Sequence, residues 1–560
     1  MVKRIPISLA RGAVVVVSAA VLVGVPGAGA IVAGKAPQAL LAHLSQSVAA
    51  NYYRAHPSQA PAQLAKLNAA SRKSPPGRSV KSCESQANKD VFNCDVLGLP
   101  QNEESVGSCP SNDDLVLEGT NDYRGLLDPE GNFTGWHWST DGGHSVRNEG
   151  LLPPVTLIRE PTRQVPSGGD PVDFLPAGCD SVYAASLAYN PSNPFGDANG
   201  IGVYKSTPEI LSSCPGGSDP SCWPVKRLVA EADASHFLDK EWMFVGVQNG
   251  VRYVWITYSD FAIDQNAPLG FTGAEIKAVR CDENLVTCTE PIPISTVDAD
   301  VQFSDVTIGP DGRAYITWIR IDGELEQTEQ VFTIKYRSET APGSAVFGPE
   351  HVVQVVPNAI PFGGFLQAND FRVATYPKSD VVTVHGHPRA FVIWDECTTR
   401  LLGPFCERPL IKLTFSDDDG ATWSEPIILS NGGVNYFPSI SADRTGRTNN
   451  IAASWYTNAY DAAFENQQDV VATSINPLTG RARGLKRLTQ SSNETEADPL
   501  LGGFFIGDYF EGVLVRNRYY VAYNANYRKV PLVGGLFNRP DQPIIPVNQQ
   551  DNYLAITGAN

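Results

Sequence analysis

The sequence predicts an all-β fold: a β-propeller of four-stranded blades, seven in number with six as the alternative, behind a short N-terminal helix and a linker. Three observations predict it. A strand-like run rich in aromatic and β-branched residues recurs every 61–76 residues. A second, more polar strand opens each unit. The chain holds 49 Gly and 42 Pro against only 18% charged residues, so turns are many and long surface helices few.

Residues 1–30 read as a signal peptide. Lys3, Arg4 and Arg11 precede an apolar run from Ala13 to Val25, and Ala28-Gly29-Ala30 offers a small-residue cleavage site. The run is short for a membrane span, which needs about 20 residues. The expectation is a secreted, extracellular protein with no membrane span after cleavage. The formal net charge is -17, and about -20 without the three basic residues. Such acidity repels phosphate backbones and excludes nucleic acid as a partner.

Residues 31–100 differ from the rest. Leu40, Leu44, Val48 and Tyr52 recur every four positions, the period of one amphipathic helix. Pro57, Pro61, Pro75 and Pro76, with Ser, Lys and Arg around them, read as a linker.

The propeller is expected over 101–560. Its repeating strand is clearest as Val182–Leu187, Arg252–Thr257, Ala314–Ile319, Ala390–Trp394, Ile451–Tyr456 and Tyr519–Tyr523. Gly309-Pro310-Asp311-Gly312 before one copy is a hairpin turn. The aromatic residues of these strands are expected in the blade cores. The opening strands carry Asn102-Glu103-Glu104, Gly169-Asp170-Pro171, Asp239-Lys240-Glu241-Trp242, Ser304-Asp305, Asn369-Asp370-Phe371-Arg372, Phe437-Pro438-Ser439 and Gly507-Asp508-Tyr509. Seven such units, closed radially, leave no long exposed sheet edge.

The ten cysteines form an even set, as exported disulfide proteins do. Cys214/Cys222, Cys281/Cys288 and Cys397/Cys406 are neighbouring pairs; Cys83, Cys94, Cys109 and Cys179 remain, with Cys83/Cys94 and Cys109/Cys179 as one pairing. None has the spacing of a zinc site. His385-Gly386-His387 reads as an exposed turn rather than a metal pair. Asn132 and Asn493 open glycosylation sequons.

Ser416-Asp417-Asp418-Asp419-Gly420-Ala421-Thr422-Trp423 matches the Asp box, S-x-D-x-G-x-T-W, in full. Ser139-Thr140-Asp141-Gly142-Gly143-His144-Ser145-Val146 is a second copy with Val146 in the aromatic place. In such a turn a short acceptor side chain takes nearby N–H groups, and Gly supplies the backbone freedom. On these boxes, with Gly119–Arg124, Phe237–Trp242 and Phe505–Tyr509, residues 100–558 resemble the bacterial sialidase-like BNR/Asp-box repeat propellers. The resemblance implies a structural role for Ser139, Asp141, Gly143, Ser416, Asp418, Gly420 and Trp423. It also implies that disulfides clamp turns lacking a complete box, such as those at Cys214/Cys222 and Cys281/Cys288, and that Cys397/Cys406 staples a hairpin beside Trp394.

The resemblance implies a propeller that binds or processes extracellular glycans, an exo-acting glycoside hydrolase of sialidase type. The alternative is a non-catalytic cell-surface binding or scaffold propeller. The family's Arg-Ile-Pro motif occurs only as Arg4-Ile5-Pro6, inside the signal, so its arginine triad does not carry over. With polar opening strands innermost, Asp170 and Asp239 are the candidate acid/base residues and Tyr509 the candidate nucleophile. Glu104, Arg124, Lys240, Asp370, Arg372 and Asp508 are candidate ligand contacts. No cofactor is required; a Ca²⁺ bound by the ring of carboxylates is the alternative. Hydrogen bonding between blades is the plain structural role for the same residues.

Overall fold

In the first blade the aromatic strand is the third, with Trp136 and Trp138 buried; in the other six it is the second, where both of its faces are covered by neighbouring blades. Trp255, Trp318, Trp394 and Trp455 all sit there, fully buried. Each such ring contributes about 3 kcal/mol of burial. In a computed structural model, residues 38–62, 64–65, 92–94, 99–322, 330–362, 364–366, 368–400, 405–531 and 546–559 are described. Residues 1–37, with Arg4-Ile5-Pro6, most of the stretch 66–98 and Cys83 lie outside the described residues.

Seven sheets, antiparallel but for one short parallel pairing in the fifth, follow one another along the chain. Blades 1, 2, 3, 4 and 6 are four-stranded, spanning Gln101–Leu151, Val172–Ala232, His236–Pro293, Val301–Val356 and Asn435–Arg487. Blade 5 adds a hairpin to its four strands. Blade 7 pairs three strands, Glu511–Val515, Arg518–Ala525 and Asp551–Gly558. Among the described residues, no N-terminal strand pairs into blade 7, although the Phe92 amide donates to Asn552 O at 3.1 Å. The ring closes instead through contacts of blade 1 with blade 7. The Gln101 amide donates to Gln550 O at 3.0 Å, the Asn524 amide nitrogen to Gln101 O at 2.6 Å, and the Ser105 hydroxyl to Glu511 at 2.6 Å.

Polar residues of the inner strands also join neighbouring blades. Ser105 accepts from Asp173 N, Asp305 from Ser379 N, Asp380 from Ala442 N and Ser439 from Gly512 N. An inner strand has an open edge on the channel, so these side chains satisfy backbone donors that no strand pairs.

Two expectations are corrected. Asn369–Val373 is not the inner strand of blade 5. It pairs with Gly364–Leu366, which runs parallel to Phe405–Ser416 in the middle of the sheet; the inner strand is Lys378–Val384. The single N-terminal helix is two, α1 (Gln38–His43) and α2 (Gln46–Ala55). Ser45 separates them because its side chain caps α2, accepting from Ser47 N.

The two box turns share one bonding pattern. Asp141 accepts from the amide and hydroxyl of Ser145, and Asp418 from those of Thr422. Ser139 and Ser416 accept from Gly143 N and Gly420 N. Blade 3 makes a similar turn with Asp282, which accepts from Asn284, Val286 and Thr287 amides inside the Cys281–Cys288 loop. Disulfides join Cys109–Cys179, Cys214–Cys222, Cys281–Cys288 and Cys397–Cys406. His385 and Gly386 form a positive-φ hairpin turn. Asn132 and Asn493, the sequon residues, are buried. Among the described residues, no helix is long and apolar enough to cross a membrane.

Candidate functional site at the channel mouth

The inner strands enter the channel through a repeated irregularity. In blades 1, 3, 4 and 6 the pairing register slips near the start of the strand. At each slip one residue takes a left-handed backbone: Glu103, Lys240, Phe303 and Phe437, with φ of 50–58°. Asp170 does the same before the short inner strand of blade 2. A bulge of this kind re-aims a side chain relative to the alternating pleat. These side chains therefore meet near one end of the channel.

They divide the mouth into two halves. On one side Lys240 Nζ lies 2.5 Å from Asp508, 3.4 Å from Asp170 and 4.0 Å from Glu103, so one ammonium serves carboxylates of three other blades. On the other side Phe303 stacks on Tyr376 at 4.5 Å and Tyr376 meets Phe437 at 5.8 Å. Arg372 reaches in from the extra hairpin of blade 5 and grips Asp508 with two nitrogens.

Burial sets the charges. It pushes Asp239 up to about 7, with Lys240 opposing and Asp170 adding to the rise. Burial, then Asp170, pushes Glu103 well above the usual carboxylate range, and burial does the same to Glu241. Burial also works against the Asp508 carboxylate, but Arg372 and Lys240 hold it below its ordinary value. Deeper in, burial pushes Lys378 down to about 8, beside Trp242. Environments that drive neighbouring titratable groups apart are those of acid–base sites.

The predicted site residues fall into two sets. Asp170, Asp239, Lys240, Arg372 and Asp508 come together at the mouth, with Tyr509 beside them. The Tyr509 hydroxyl donates to Pro171 O at 3.2 Å, and burial with the nearby carboxylates keeps it firmly protonated. Three residues lie elsewhere. Glu104 is buried between strands, near Glu118 rather than Lys240. Arg124 is inside blade 1, bonded to Asp122 and Glu149. Asp370 is exposed on the added hairpin. Among the described residues, Arg372 alone brings a guanidinium to the carboxylates, so no triad of arginines assembles there. No group of three or more metal-ligating side chains is found among the described residues. Lys240 places its ammonium among the carboxylates, where a cation would have to sit.

Sequence reasoning missed Glu103, Glu241 and Ser45. Ser45 enters from the break between α1 and α2. Its hydroxyl donates to Asp170, and its amide donates to Asp239 at 3.0 Å. Arg372 donates to Ala42 O and Leu44 O, at 2.9 and 3.1 Å. The far end of the channel holds a separate cavity of about 250 Å³, walled by Phe174, Phe244 and Arg444.

Fold and site together define a seven-bladed propeller with an acidic, half-aromatic channel mouth. No family model and no curated protein matches the chain. Among solved structures it is similar to a Penicillium chrysogenum α-L-arabinanase complexed with arabinobiose, at 11% identity and a TM-score of 0.39, over 73% of this chain and 99% of that one. It is also similar to a Hadza microbial sialidase, at 10% identity and a TM-score of 0.37, over 70% and 71% of the two chains. A Trypanosoma rangeli sialidase in complex with the inhibitor DANA matches at 8% identity and a TM-score of 0.37, over 74% and 56%.

Proposed function

We propose that the channel mouth takes an extracellular glycan and that Asp239 and Asp170 act on its glycosidic bond as an acid/base pair. The observation that carries this reading is what the mouth bonds to. Asp170 and Asp239 accept from a hydroxyl and an N–H, while Arg372 donates to two oxygens close by. Vicinal sugar hydroxyls both donate and accept, and so match such a mixed surface. Aromatic rings beside the carboxylates suit the apolar face of a pyranose or furanose.

Asp239, pushed up to about 7 by burial, keeps a substantial protonated fraction at neutral pH and can serve as the general acid that protonates a leaving oxygen. Asp170 faces the same group from the neighbouring blade and serves as its base. Tyr509 is left out of the chemistry, because a carbonyl holds its proton and a carbonyl is no base. One arginine, already paired with Asp508, does not make a sialic-acid carboxylate clamp. The favoured substrate is therefore a neutral glycan.

A fluorogenic glycoside panel, sialosides included, tests this on the purified protein. Turnover of a neutral glycoside is expected, with a loss of more than about a hundredfold in Asp239→Asn and Asp170→Asn and none in Asp418→Asn. No turnover of any member, with glycan-array binding retained, would establish the second reading, a non-catalytic binding propeller. Lys240 favours that reading, since it neutralises the carboxylates that catalysis would use.

A further inference from the structure

The mouth is not empty. We propose that residues Gln38–Ala55 are a displaceable internal ligand of the channel mouth, which the glycan must expel to bind; the identity of the competitor rests on the reading above. Ser45 is the tip of this segment. Its hydroxyl and amide occupy Asp170 and Asp239, and the carbonyls before it occupy Arg372. These are the atoms a glycan would need.

The rest of the segment packs closely around this tip. Leu40, Leu44, Val48 and Tyr52 are buried, and in α2 every residue from Gln46 to Tyr53 is buried. His43 stacks on Phe362 at 5.0 Å, and Tyr52 meets Phe195 at 5.9 Å. Asn51 donates to the Tyr189 hydroxyl at 3.0 Å. The anchoring elements belong to blades 2, 3 and 5, so the segment spans the opening instead of extending one sheet.

The fit at the tip is incomplete. Asp239 Oδ1 is buried with no hydrogen-bond partner, and Asp170 Oδ2 is met by Lys240 Nζ at 3.4 Å and not by the segment. Each blade closes its sheet without α1 or α2, and no strand of the ring pairs with them. The segment can leave without breaking any strand pairing, and what it must give up is the side-chain packing of its apolar residues against the main core. Ligand affinity then scales with the fraction of molecules in which the segment has left.

Hydrogen–deuterium exchange and peptide binding on the full chain test the proposal. Ser45→Asp sets a third carboxylate against Asp170 and Asp239; Asn51→Ala removes a contact remote from them. In both, exchange of the α2 amides is expected to rise about tenfold while the inner strand Glu511–Val515 keeps its protection. A fluorescein-labelled peptide of residues 36–58 is expected to bind Ser45→Asp protein, and the same peptide carrying Ser45→Asp is not. If α2 exchanges only together with Glu511–Val515 in every protein, the helices are an integral part of the fold and the proposal is overturned. If the segment opens and takes up the peptide, yet no panel glycoside is bound or cleaved, the displaceable segment stands and the glycan reading falls. If a panel glycoside binds wild type and Ser45→Asp equally tightly, displacement is overturned and the glycan reading stands.

Discussion

Lys240 Nζ stands 2.5 Å from Asp508 Oδ2, an ion pair across the channel between blade 3 and blade 7. Both side chains are almost fully buried, and Asp170 and Glu103 share the same ammonium. The pair thus links elements 268 residues apart in the chain.

Replacing Lys240 by Met leaves several carboxylates without their cation. Removing one partner of a buried pair costs about 3–5 kcal/mol, more than the pair itself adds. Guanidinium denaturation of Lys240→Met is expected to show a loss of this size, and the double variant with Asp508→Asn a smaller one. A double variant as unstable as the single one would mean that Lys240 acts through packing.

Stability is expected to fall as pH rises from about 4 to 7. Burial pushes Asp300, Asp395 and Asp498 each up to about 7. The folded state therefore holds protons that the unfolded chain has released above about 4, and raising the pH strips them at a cost in stability. Their contribution is complete below the unfolded value and gone above the folded one. Thermal melts across this range measure the slope, and Asp395→Asn with Asp498→Asn should flatten it. A slope unchanged by these variants would assign the effect to other groups.

The disulfides differ in what they constrain. Cys109–Cys179 closes a separation of 70 residues and ties blade 1 to the start of blade 2, whereas Cys281–Cys288 closes 7. By loop entropy their removal costs about 4.4 and about 2.5 kcal/mol. Paired Cys→Ser variants compared by chemical denaturation should follow that order. Equal losses would mean that the Asp282 turn needs its disulfide for more than chain entropy.

Asp141 and Asp418 each hold a turn through bonds to residues within four positions. Asp141→Ala and Asp418→Ala each remove acceptors for one amide and two hydroxyls, at a cost of about 1 kcal/mol given their exposure. Denaturation midpoints should shift accordingly while ligand binding stays unchanged. A loss of binding would tie these outer turns to the mouth.

Much of the architecture was legible because it is local. The aromatic strand marks the second strand of blades 2 to 7, where its side chains find cover on both faces. Box residues bond within four positions of one another, and three disulfides join near neighbours in the chain. The site was legible in part. Asp170, Asp239, Lys240, Arg372, Asp508 and Tyr509 stand out as polar residues in strands that open each unit. Glu103 was passed over for Glu104 because alternation along a strand says which residues share a face and not where a bulge reverses it. Asp370 was misplaced because an added hairpin imitates the pattern of an inner strand.

The sequence by itself determined the repeating β unit, its turns and the cysteine pairs that clamp them, because each depends on residues close together in the chain. Tertiary structure alone decided which carboxylates meet Lys240, that Arg124 and Glu104 lie elsewhere, and that Ser45 fills the mouth between Asp170 and Asp239. Those outcomes depend on where bulges turn the inner strands and on contacts between segments more than a hundred residues apart, and no local pattern of residue types encodes such a meeting.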